Sequence, residues 1–314
     1  MSRAVRFDQY GDSSVLKVVE VAERPPGAGE VRVAVSYAAI NPGEIGIRAG
    51  LMHDRFPAHF PEGEGSDFAG TVVETGAGVT AVRVGDAVIG MSDGRNAHAD
   101  SVTLPADRVV PKPAGLDDAV AASLYVAGTT AWVAVDAVAP RPGETVVVAG
   151  AAGGVGILAT QLALRAGARV IATASEANHA FLAGLGAEPV AYGDGLGERI
   201  RALAPDGVDA FIDTHGDGNV AVAVALGVPR ERIVTIADRA AAAEYGIRAV
   251  GMAMLADPAA AVSELARLLA AGELVLPIRA RYPLERVAEA YDDLANRHGL
   301  GKIVLFTGTG KPTR

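Results

Sequence analysis

No cysteine occurs among the 314 residues, which excludes disulfides, thiolate-bound zinc, iron–sulfur clusters and a cysteine nucleophile together. Lysine is scarce as well: Lys17, Lys112, Lys302 and Lys311 are the whole set, and arginine carries the remaining positive charge. A net charge of −9 supplies no basic footprint for a nucleic-acid backbone and is repelled by an anionic membrane surface, so small molecules are the expected partners. Residues 1–12 contain scattered charges and no apolar run of signal-peptide length, so a cytoplasmic location is expected. His53, His59, His98, His215 and His298 form no pair at metal-ligand spacing and read as loop or surface residues; no metal is expected.

What is present is an ordinary globular balance, half of the residues apolar and 21% charged, on a chain long enough for about two domains. The first hundred or so residues carry short alternating or β-branched runs between Gly and Pro turns, at 31–36, 70–73 and 86–89. Alanine-rich helical stretches then begin, over 117–134 and 155–165. From Thr145 strand and helix patterns alternate: strands at 146–148, 169–173, 189–192, 210–213 and 232–236, with helices at 176–185, 196–203 and 220–226. Such alternation implies a parallel sheet covered by helices on both faces. An amphipathic helix over 258–271 and a strand at 302–306 close the chain. The uncharged run 146–164 has the length of a membrane span, but its four glycines cluster where a buried strand turns into a buried helix.

That turn is Gly150-Ala151-Ala152-Gly153-Gly154-Val155-Gly156. A pyrophosphate needs backbone N–H groups and a helix N-terminus at close range, and glycine admits that approach. A Gly-rich run directly after an apolar strand and opening an apolar helix reads as a dinucleotide loop, with Ala151 in the place of the first glycine of the common fingerprint. A tight turn without a ligand is the bland alternative.

The loop resembles that of the quinone oxidoreductase branch of the medium-chain dehydrogenase/reductase superfamily. Residues 39–44 (AINPGE), 65–70 (GSDFAG), 84–88 (VGDAV), 127–132 (AGTTAW) and 301–305 (GKIVL) follow in the order that family shows. The resemblance implies an α/β fold: a GroES-like, β-rich catalytic domain over 1–115, a Rossmann domain over 116–257, and a segment over 258–314 returning to the catalytic domain. It also implies a homodimer, through a strand-like edge at 248–255. Relatives that use zinc carry cysteine, histidine and cysteine where this chain has Asn41, Ser66 and Val126, so metal catalysis by that route is not expected.

Without the metal, the acceptor itself must delocalise the incoming charge, as quinones and α,β-unsaturated carbonyls do. The resemblance makes Asn41 a pocket residue able to hydrogen-bond an acceptor oxygen, with Glu44 beside it; an Asn before Pro42 is equally a turn former. Gly46 stands where many quinone reductases have tyrosine. Thr130 and Lys302 are implied at the nicotinamide and the cofactor cleft, although a surface role is the default for a lysine at a strand start. The residues expected on the dinucleotide are Ala152, Gly153, Gly154, Val155, Gly156, Ser175, His179, Tyr192 and Ile236. Ser175 occupies the position where an acidic residue would select NAD, and with His179 and Tyr192 it suits a 2′-phosphate, so NADPH is expected over NADH; Glu176 argues for NADH. The reading is an NADPH-dependent, zinc-independent reductase of quinones or conjugated carbonyls. The alternatives are an enoyl-thioester reductase of secondary metabolism and an NADPH-binding protein without turnover.

Overall fold

The computed structural model describes residues 1–296 and 299–308, so His298 and Lys311 lie outside the described residues. The chain forms two compact units. One comprises Met1–Val126, Ala259–Glu273 and Pro277–Arg314; the other comprises Ala127–Pro258 and Leu274–Leu276.

In the first unit the strand Glu30–Ala39 alternates half-buried and buried residues, as one covered face of a sheet requires. It pairs antiparallel with Asp67–Thr75, with Lys302–Phe306 and with Ser101–Pro105. Ile278–Pro283 extends this sheet at one end and Ala87–Met91 with Val109–Pro111 at the other, giving seven strands; Ser2–Phe7, flanked by Lys17–Val21 and Glu62–Gly63, forms a second sheet of three. Val31, Val33, Val35, Phe68, Val72, Val88 and Val102 fill one core. Phe7, Ile40, Leu284, Tyr291, Ile303 and Leu305 fill another. The C-terminal segment thus supplies a strand beside Glu30–Ala39 and a helix, Val287–Ala295, over the second core.

The second unit is a six-stranded parallel sheet in the order Glu188–Val190, Arg169–Thr173, Thr145–Ala149, Ala210–Asp213, Ile233–Thr235, Arg248–Ala249. Numbered along the chain this is 3-2-1-4-5-6, the Rossmann order, whose reversal lies beside the strand Thr145–Ala149. That strand is buried at every position, which is why it reads as an unbroken β-branched run.

Several expectations differ from the structure. The helix expected over 117–134 is two, Asp118–Ala122 and Tyr125–Val138; Asp117 caps the first, and the Ser123 hydroxyl bonds back to the Ala119 carbonyl where it ends. The first of these packs through buried Ala119, Ala121 and Ala122 on Glu30–Ala39 and Asp67–Thr75, so the first unit runs to Val126 rather than to residue 115. The strand-like edge expected over 248–255 is only two residues long, because Gly251 precedes a 3-10 turn, Met252–Met254. The uncharged run 146–164 is a strand followed by the helix Gly154–Arg165, and among the described residues no helix is long and apolar enough to cross a membrane.

Candidate active site

Residues far apart in sequence meet in a buried polar cluster inside the first unit. Asn41 ends the long strand region and caps the helix Pro42–Arg48, where Pro42 at the first helical position suits the fixed φ of proline. Glu44, three residues on, accepts the Asn41 N–H at 2.7 Å, the Ser66 N–H at 3.0 Å and the Tyr291 hydroxyl at 2.7 Å, with the Asn41 Nδ2 at 3.4 Å. A carboxylate offers about four acceptor sites, so Glu44 is saturated by groups that it positions. Asp67, at the start of its strand, accepts the Asn41 Nδ2–H at 3.1 Å and the Val126 N–H at 2.8 Å. Asn41, Ser66 and Val126 are thereby gathered around two carboxylates.

Lys302 completes this arrangement. It is buried, not a surface residue at a strand start, and its Nζ donates to the Ile40 carbonyl at 2.9 Å and to Asn41 Oδ1 at 2.6 Å. Both ends of the Asn41 carboxamide are therefore assigned: oxygen toward the ammonium, nitrogen toward carboxylates.

Behind Glu44 lies a second buried pair, Arg48 with Glu64, and the Arg48 guanidinium sits 4.3 Å from the centre of the Tyr291 ring. His98, expected in a loop or on the surface, lies in a loop but is wholly buried. Its Nε2 donates to the Ala39 carbonyl at 3.1 Å, while Nδ1 has no hydrogen-bond partner among the described residues. Room for the ring exists because Gly65, at φ +86°, has no side chain; a Cβ there would sit 2.0 Å from the imidazole.

Burial dominates the electrostatics. It pushes the Asp67 carboxyl up to about 7 against the pull of Lys302, and Glu64 up to about 7 against Arg48. It lowers Lys302, opposed by Asp67 and Glu44, and lowers His98. Tyr291 is raised well above the ordinary phenol range by burial and by the Glu44 and Glu64 charges.

In the second unit the expected dinucleotide residues lie at the C-terminal ends of the parallel strands. Gly150 to Gly156 follow Thr145–Ala149, Ser175 follows Arg169–Thr173, Tyr192 follows Glu188–Val190 and Ile236 follows Ile233–Thr235. That edge, next to the strand-order reversal, is where such sheets bind ligands. Gly153 is the N-cap of Gly154–Arg165, whose first turn leaves N–H groups without helical partners. A Cβ on Gly156 would lie 2.2 Å from the Gly150 oxygen, so only glycine lets this helix pack against the loop, whereas a Cβ on Gly153 would meet nothing closer than 3.5 Å. The buried Ala151 N–H donates to the Thr173 carbonyl at 3.0 Å, locking the loop to the next strand. Ser175 Oγ accepts from Asn178, and His179 Nε2 donates to the Ala174 carbonyl, so both belong to one turn; Tyr192 is exposed and Thr130 is buried in its helix.

The sequence alone does not mark Asp67, Arg48, Glu64 or Tyr291 as site residues, and it groups His98 with loop or surface histidines. Asp67 carried the one usable signal, a lone charge opening an apolar strand run; Tyr291 and Arg48 sit on helix faces whose partners are remote in sequence. Asp213 also went unselected, though buried at the end of the strand Ala210–Asp213, where it accepts from Thr235, Asn219 and the His215 and Gly216 N–H groups.

Residues 27–197 match the family model of the alcohol dehydrogenase GroES-like domain, and residues 185–305 match that of zinc-binding dehydrogenase. The quinone oxidoreductase of Rattus norvegicus is 30% identical over 98% of this chain and 98% of its own. The phthioceranic/hydroxyphthioceranic acid synthase of Mycobacterium tuberculosis is 32% identical over 96% of this chain, which spans only 15% of that synthase's length. A mycobacterial protein solved in complex with NADPH superposes with a TM-score of 0.86 at 26% identity, covering 98% of this chain and all of the other.

Proposed function

The chain belongs to the medium-chain dehydrogenase/reductase superfamily, in its quinone oxidoreductase branch, and on that footing we propose that it is an oxidoreductase passing hydride from NADPH to a quinone or an α,β-unsaturated carbonyl without zinc. The observation that carries this reading is the set of residues at the three positions that zinc-using relatives fill with metal ligands. Asn41, Ser66 and Val126 offer neither thiolate nor imidazole, and the Lys302 ammonium at 2.6 Å from Asn41 Oδ1 would repel a second cation there. These residues do not fit zinc. An acceptor that spreads the incoming charge over a conjugated system needs no Lewis acid, only orientation and the exclusion of water.

NADPH would be held by the loop from Ala152 to Gly156 through backbone N–H groups, and by Ser175, His179 and Tyr192 at the 2′-phosphate. Bound there, it supplies the hydride. Ile236 would line the same strand edge, and Thr130 the nicotinamide. Within the first unit Glu44 serves to hold Asn41 and Ser66 in place, since its acceptor sites are all used. The test is NADPH oxidation across a panel of quinones, enones and enals; no turnover with any of them, or a higher kcat/KM with NADH, overturns the corresponding part.

A second reading has its own support. Because the chain is 32% identical to a stretch of a mycocerosic acid synthase-like polyketide synthase of Mycobacterium tuberculosis, an enoyl thioester is a candidate acceptor of the same electronic kind. A kcat/KM for a crotonyl thioester well above that for any free quinone would select it. Association as a homodimer is proposed with either reading, and sedimentation tests it.

A further inference from the structure

Around Asn41 the first unit buries three acidic side chains, Glu44, Glu64 and Asp67, and two basic ones, Arg48 and Lys302; His98, Tyr291 and Tyr125 are the other titratable groups that face them. The two cations are used differently. Arg48 is committed to Glu64 and to the Asp12 carbonyl, and its guanidinium lies over the Tyr291 ring. Lys302 spends two of its three donors, on the Ile40 carbonyl and Asn41 Oδ1, and its third has no hydrogen-bond acceptor among the described residues. The cluster also has an outer side, where Ser66 and Val126 are half-buried: among Asn41 and the charged groups, Asn41 at 7% and Lys302 at 6% are the most exposed, whereas Asp67 and His98 are at 0% and Arg48 at 1%.

Resting on the proposed hydride transfer, we infer that the third donor of Lys302, with its ammonium held in place by Asn41, is the fixed positive charge that receives the oxygen of the acceptor, and that Asp67 opposes it. Hydride transfer places an electron pair on the acceptor's conjugated system and negative charge on its oxygen. A fixed cation stabilises that charge where it develops, and in a low-dielectric site its effect far exceeds that in water. The ammonium gives charge stabilisation in this step and no proton; protonation of the reduced acceptor by water completes the balance. Asn41 acts here as a positioning residue, its carboxamide spanning Lys302 on one side and Asp67 on the other.

Opposite effects from two neighbouring variants separate this electrostatic role from a structural one. The probe is 4-nitrophenol bound to the NADP⁺ complex, whose visible absorbance reports the bound phenolate fraction without turnover. Lys302→Met is expected to lower the phenolate-to-phenol ratio about tenfold or more, Lys302→Arg to preserve it, and Asp67→Asn, measured above the pH of about 7 at which Asp67 ionises, to raise it. An unchanged ratio in Lys302→Met, shifts of the same sign in Lys302→Met and Asp67→Asn, or no phenol binding by a protein that binds NADP⁺, overturns the inference. Should Lys302→Met not fold, Lys302→Gln takes its place. Failure of the wild-type protein to bind NADP⁺ instead removes the functional reading on which the inference rests.

Discussion

The Nζ of Lys302 and the Oδ1 of Asn41 lie 2.6 Å apart although 261 residues separate them in sequence. The strand Lys302–Phe306 makes this contact possible by pairing with Glu30–Ala39, which ends at the residue before Ile40. A C-terminal residue therefore sets the orientation of the first candidate site residue in the chain.

Because burial lowers Lys302 below the ordinary lysine range, its ammonium form, present at low pH, is lost as pH rises at a lower pH than for a solvated lysine. With NADPH and a quinone, kcat/KM should decline on the alkaline side within that range. In Lys302→Arg, whose guanidinium does not titrate there, this limb should disappear. An alkaline limb identical in both proteins contradicts the expectation.

The buried acids bear on stability with the opposite sign to an ordinary salt-bridged carboxylate. Asp67 has a folded value of about 7, above the unfolded value near 4, so the folded state binds more protons between these limits. Its contribution is favourable at low pH and is lost as pH rises from about 4 to about 7, with a slope of at most about 1.4 kcal/mol per pH unit. Urea unfolding across this window should show a shallower fall for Asp67→Asn than for the wild type.

Gly153 and Gly156 should respond differently to alanine. A Cβ at position 156 meets backbone, 2.2 Å from the Gly150 oxygen and 2.7 Å from the Ala151 Cα, and should cost about 2 kcal/mol or more together with NADPH binding. At position 153 the nearest atom is 3.5 Å away, so stability should change by less than about 1 kcal/mol. Affinity should still weaken there, because the methyl group would stand where the pyrophosphate is proposed to approach. Equal losses of stability in the two variants would contradict this.

Ser175→Asp places a carboxylate where a 2′-phosphate is proposed to bind. The ratio of kcat/KM for NADPH over NADH should drop about tenfold or more, on the repulsion of like charges at close range. An unchanged ratio would place the 2′-position elsewhere.

Arg48 and Glu64 are both nearly fully buried, at 1% and 5% side-chain exposure. Removing one partner leaves a buried unpaired charge, so Arg48→Met should destabilise by about 3–5 kcal/mol. Arg48→Met combined with Glu64→Gln should recover most of that loss, which thermal unfolding of the two variants would measure.

Wherever chemistry depends on neighbours in sequence, the chain could be read directly. The unbroken apolar strand, the glycines after it and the alternation of strand and helix all act through local backbone geometry, so a parallel sheet covered on both faces and the glycine-rich turn from Gly150 to Gly156 were legible; the strand order was not, because strand pairing joins segments remote in sequence. The strand Lys302–Phe306 was legible at its observed limits for the same reason: after the lysine, four residues of β-branched and large apolar character need no partner to be identified. The break after Ala122 was harder, since it depends on a serine hydroxyl turning back to a carbonyl in an otherwise helical stretch.

Composition and order along the chain by themselves determined that no cysteine thiolate site exists and that a glycine-rich turn joins an apolar strand to an apolar helix within an α/β alternation; it is the family resemblance that implies Asn41, Ser66 and Val126 at the ligand positions. Only the tertiary structure decided that Lys302 is buried against Asn41, that Glu44 is a saturated scaffold rather than a free acid, and that Asp67, Arg48, Glu64, His98 and Tyr291 form the cluster behind them. The physical reason is distance in sequence. A buried charge survives only where strands and helices from remote segments converge to supply its partners, and no local pattern records that convergence.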